Sequence, residues 1–124
     1  MALKDENILG LVEKISDSLD KMLFMGLGTN AKDYENFEEC VELKKNVKKE
    51  IENKNFGIGE KLIFDEIEKK IKNNEDKNGI LRVGCWFYLK LNSLDEETLK
   101  QGNFSKENIY HGIKKIEDYF MGVC

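Results

Sequence analysis

The chain has 124 residues, 35% of them charged and 40% hydrophobic, with a formal net charge of −4. A single domain of this length buries roughly two-thirds of its unfolded surface, so it needs neither disulfides nor a structural metal to fold. The composition excludes a disordered chain, and the acidic balance argues against a general nucleic-acid binder, which carries a basic excess or a strongly basic face.

With no proline anywhere, glycine supplies the punctuation. From Asp5 to Phe24 a stripe of Ile8, Leu11, Val12, Ile15, Leu19, Met22 and Leu23 predicts a first amphipathic helix, closed by "MGLGTN". Asn30 is placed to cap a second helix over about 31–53, with Phe37, Cys40, Val41, Val47 and Ile51 inward and "NFGIGEK" ending it. A third helix is expected over 60–73, burying Ile63, Phe64, Ile67 and Ile71, followed by the polar turn "NNEDKNG".

The segment "LRVGCWFYLKL", residues 81–91, holds the only arginine and the only tryptophan of the chain. As a strand it alternates cleanly, Leu81, Val83, Cys85, Phe87, Leu89 and Leu91 against Arg82, Gly84, Trp86, Tyr88 and Lys90. A lone strand leaves its backbone groups unpaired, and no second convincing strand is present. The segment is therefore expected to be a mostly buried helix over 77–92 at the centre of a bundle, the alternative being a strand that pairs across a dimer. Beyond it, Ser93 with Glu96 reads as a capping box for a short helix that Gly102 closes. Ser105 then caps a last helix carrying Ile109, Ile113, Ile116 and Phe120. The fold expected is all-α, a single domain over 1–124 built as a bundle of five to six helices.

No motif assembles a catalytic or cofactor site. "GLGTNA" resembles a dinucleotide loop, but a helix precedes it where that mechanism needs a strand. "GIGEK" lacks P-loop spacing and reads as a turn. "NEDKNG" matches the start of a calcium loop, yet the twelfth position, which needs a bidentate Glu, is Cys85. His111 is the only histidine and has Glu107 and Lys115 four residues to either side, which places it on a solvated helix face. Cys40, Cys85 and Cys124 are odd in number and widely spaced, the pattern of free thiols in a reducing compartment. The charged N-terminus and the lack of a long apolar run add the expectation of a cytoplasmic protein without membrane or nucleic-acid partners.

Two patterns remain as candidate contact surfaces. In a continuous second helix, Glu35, Glu38, Glu39 and Glu42 fall within about a third of the circumference. Helix-dipole preference accounts for acids in the first turn and lysines late, but it fades before Glu39 and Glu42. Such a face would suit a basic protein surface. The second pattern is Arg82, Trp86 and Lys90, four residues apart, which share a face whether the segment is helix or strand. Trp86 is either a core residue edged by Arg and Lys stems, with a cation–π contact, or an interface anchor.

The function expected from these patterns is a non-enzymatic protein-binding module. Its most concrete form is a small acidic inhibitor or immunity-type protein that occludes a basic partner such as a toxin nuclease. The alternative is a structural subunit or homodimer assembled through the Trp86 face. An enzyme would require a deep pocket with convergent polar groups, and a pocket holding two carboxylates of raised pKa would point to one.

Overall fold

A computed structural model describes residues 40–121, together with Gly10 and Lys14. Those two isolated residues are helical and exposed, and both lie off the apolar stripe of the first predicted helix. The described body contains five helices and no strand: α1 (Val41–Glu52), α2 (Phe56–Lys72), α3 (Asn78–Asn92), α4 (Glu96–Gln101) and α5 (Lys106–Met121). The architecture is all-α. Helix α1 packs on α2, α2 on α3, and α3 on α5, with α4 a short connector.

Helix α3 is the centre, and the segment "LRVGCWFYLKL" is helical throughout. Ile80, Leu81, Val83, Gly84, Cys85, Trp86, Phe87, Tyr88 and Leu91 are all buried, so apolar side chains surround nearly its whole circumference. A helix apolar all round finds its minimum inside the fold, not on its surface. Its neighbours contribute one stripe each: Phe56, Ile63 and Ile67 from α2, Ile109, Ile113 and Ile116 from α5, and Val47 and Ile51 from α1.

Three helices end in the same hydrogen-bonded turn. After α1, the Lys54 N–H donates to the Ile51 carbonyl at 3.0 Å and the Asn55 N–H to Glu50 at 2.8 Å. The same pair of bonds closes α2, where Asn74 and Glu75 donate, and α4, where Asn103 and Phe104 donate. Lys54, Asn74 and Asn103 therefore sit in the left-handed region, with φ of 60°, 57° and 56°. This is the Schellman arrangement, with lysine or asparagine where glycine is commonest. Gly102 stands one position earlier and serves proximity: a Cβ there would lie 2.3 Å from the Lys54 carbonyl oxygen and 2.5 Å from Phe56. The first and third of these turns are thereby docked on each other, with Phe56 and Phe104 edge to face at 6.0 Å.

Several boundaries differ from the sequence expectation. The second predicted helix is not continuous through residue 40, because Cys40 has φ 53° and α1 starts at Val41. Helix α2 begins at Phe56 rather than at residue 60, so "GIGEK" is its first turns and not a loop. The break had already been made by the turn at Asn53–Asn55, and Gly59 fits inside the helix because Phe87 packs over it. Ser93 does not cap α4. Its hydroxyl donates to the Lys90 carbonyl at 2.6 Å and closes α3, while Asp95 accepts from the Thr98 N–H at 2.7 Å and caps α4. Ser105 and Asn108 do exchange capping bonds at the start of α5, with Asn in place of the usual Glu or Gln.

Val41 and Ile71 were expected inside and are 55% and 42% exposed. Each continues the stripe by which its helix packs, Lys44–Val47–Ile51 on α1 and Ile63–Ile67 on α2. The stripes run past the end of the antiparallel α1–α2 hairpin opposite its turn, where no third described helix covers them.

Candidate functional site

Helix α3 positions the Arg82, Trp86 and Lys90 face as expected from the spacing, and the structure decides its character. Trp86 is 3% exposed, while Arg82 and Lys90 are half-buried at its edges. The Lys90 ammonium lies 5.9 Å from the centre of the Trp86 ring, a cation–π contact of about 0.5–1 kcal/mol at a partly exposed position. The indole is enclosed within its own chain, so this face presents two cationic edges and no open aromatic anchor.

Of the four glutamates, Glu35, Glu38 and Glu39 lie outside the described residues. Glu42 is exposed, in the first turn of α1. Because Cys40 interrupts the helix, periodicity does not carry the common face from residue 35 through 42, and the dipole of α1 by itself accounts for Glu42. The neighbourhood gains a feature that sequence reading had assigned to the core. Val41 and Ile71 stand on the surface at the end of the hairpin away from its turn. Lys70 is paired with Glu75 at 3.1 Å, which raises its pKa and lowers that of Glu75.

A cluster not anticipated from sequence lies between α2, α3 and α5. The fully buried Tyr88 hydroxyl donates to the half-buried Glu60 carboxylate. Room for the phenol is made by Gly112 on α5, where a Cβ would come within 2.1 Å of the Tyr88 ring. Burial pushes the Glu60 carboxyl above its ordinary range, opposed by the Tyr88 hydrogen bond and by Lys115; burial also raises the Tyr88 phenol. One and two turns further along α2, Phe64 lies under the Lys115 ammonium at 4.6 Å and Glu68 accepts from the Tyr119 hydroxyl. The sequence signal for this cluster was a 4-residue spacing, Glu60–Phe64–Glu68, hidden among many acidic residues.

About one turn beyond Tyr88, at the end of α3, Lys106 donates to the Asn92 and Leu94 carbonyls at 2.9 and 3.1 Å, a cation closing a helix C-terminus. The buried Asn92 Oδ1 has no hydrogen-bond partner among the described residues. His111 is exposed on α5 beside Tyr110. The "NEDKNG" stretch is the α2–α3 turn, in which the Asp76 carboxylate accepts from the Asn78 N–H. Among the described residues no group of three or more His, Cys, Asp or Glu is placed to hold a metal ion, and no helix is long and apolar enough to cross a membrane.

A family described as a family of unknown function, DUF6483, matches residues 2–121. The chain belongs to that family. No curated protein and no solved structure matches it. Within this DUF6483 chain the family match runs across both the acid-rich first 39 residues and the helical body, so the two are parts of one family unit. Their charges differ sharply. Residues 1–39 hold nine acidic and four basic residues, whereas 40–124 hold fifteen and sixteen. The acidity of the chain belongs to its first third.

Proposed function

We propose that the protein is a non-enzymatic protein-binding module, most concretely a small acidic inhibitor or immunity-type protein that occludes a basic partner such as a toxin nuclease. The observation that carries the reading is the head of α1. There Val41 and Glu42 are exposed directly after an acid-rich stretch, with Ile71 exposed at the same end of the hairpin. Apolar side chains within a charged rim are the usual anatomy of a contact surface. The excess of acid in residues 1–39 supplies the long-range field that speeds encounter with a basic protein and selects it over acidic ones. In this mechanism Glu35, Glu38, Glu39 and Glu42 stand in for the phosphates that a nuclease cleft would otherwise hold.

The Trp86 face ranks second as a route to a homodimer, because an enclosed indole offers a partner little apolar area. The test is capture of the partner from the native cell by wild-type protein and by the fourfold alanine variant at Glu35, Glu38, Glu39 and Glu42, at low and raised salt. Wild-type capture should weaken with salt, and the variant should capture little at either. Equal capture with unchanged salt dependence would remove the electrostatic reading. A stable dimer in sedimentation, abolished by Trp86→Ala with the fold intact, would favour the assembly reading instead.

A further inference from the structure

We propose that Glu60, held by Tyr88 where α2, α3 and α5 meet, is a proton-sensitive joint: the fold is firmer when its carboxyl is neutral than when it is ionised, because the cost of half-burying the charge outweighs the stronger hydrogen bond that Tyr88 gives it. An ionised carboxylate offers about four acceptor sites. Among the described residues one donor, the Tyr88 hydroxyl, hydrogen-bonds Glu60, and the carboxylate is half-buried. Water is therefore partly lost without being replaced, which penalises the charged form. The neutral acid accepts from Tyr88 more weakly, but it drops the larger penalty.

The surrounding groups do not remove this imbalance. From α5, Lys115 attracts Glu60, but it is exposed and its ammonium lies over the Phe64 ring. From α1, Glu50 reaches the neighbouring Gly59, a further acid whose own carboxylate accepts from Asn55 at 3.0 Å. From α3 comes Tyr88 itself, whose buried phenol stays protonated. Burial is the largest influence on Glu60; Tyr88 and Lys115 oppose it without reversing it.

The sign follows from linkage. A group whose native pKa is raised gives stability that is complete below its unfolded value, about 4.3 for Glu, and is lost as pH rises through the native value. The folded chain is thus firmer in mild acid than at neutral pH, by up to about tenfold in the folding equilibrium for each pH unit between those two values.

Urea unfolding followed by the emission of Trp86, two residues from Tyr88 on α3, tests this between mild acid and neutral pH. His111→Gln serves as the common background, because it removes the only histidine. Glu60→Gln should gain midpoint over its parent as pH rises and then level off. Tyr88→Phe, which deletes the one donor, should move the Glu60 carboxyl titration, read by carbon NMR, to higher pH. A Glu60→Gln difference that is constant with pH overturns the proposal. So does a Glu60 titration that Tyr88→Phe leaves in place.

Discussion

Gly112 and Tyr88 decide each other's identity. The phenol occupies the space that any side chain at residue 112 would need, and its hydroxyl reaches Glu60 on a third helix. Gly112→Ala therefore forces the ring or α5 to move. Overpacking of this kind costs about 1–3 kcal/mol, and the loss of the Glu60 hydrogen bond adds to it. Denaturant titration should show a lowered midpoint with an unchanged slope. Nothing in the sequence singles out Gly112, because "HGIKK" is an ordinary helical run until the opposite helix is known. Trp86 was the opposite case. Its spacing to Arg82 and Lys90 was legible, while its enclosure was not, since a four-residue repeat gives a face and not what lies against it.

The helices were mostly legible as elements and less so at their ends. Helix α3 emerges from a segment that alternates like a strand, because the absence of a pairing strand outweighs local β preference. The ends went astray where a residue other than glycine takes the left-handed conformation. Cys40 interrupts a run that periodicity alone would continue, and Lys54 ends α1 before the glycines that looked like the break. A left-handed residue other than glycine costs roughly 1 kcal/mol. At Asn74 the side chain is exposed, so Asn74→Gly should relieve that strain without removing core contacts. The expected gain is about 0.5–1 kcal/mol, less the small preference Asn already has for this region, and thermal melts should show a rise of a few degrees. A fall would mean that the turn after α2 draws more from the Asn74 side chain than from its backbone.

For the molecule as a whole, the open end of the α1–α2 hairpin separates stability from recognition. Val41 and Ile71 are 55% and 42% exposed, so Val41→Ser with Ile71→Ser should change unfolding free energy by no more than about 1 kcal/mol for the pair. If that end is the contact surface, the same double variant should weaken partner capture by tenfold or more, whereas unaltered capture would locate the contact elsewhere. The sequence by itself determined the all-α class, the central buried helix and the acid-rich start, because periodicity, the lack of a second strand and net charge are properties of the chain in order. Only the tertiary structure decided that Trp86 is covered, that Val41 and Ile71 are open, and that Glu60 meets Tyr88. Each depends on which residues far apart in sequence come to share a helix junction, and a periodic stripe states that a face must be covered without naming where the cover ends.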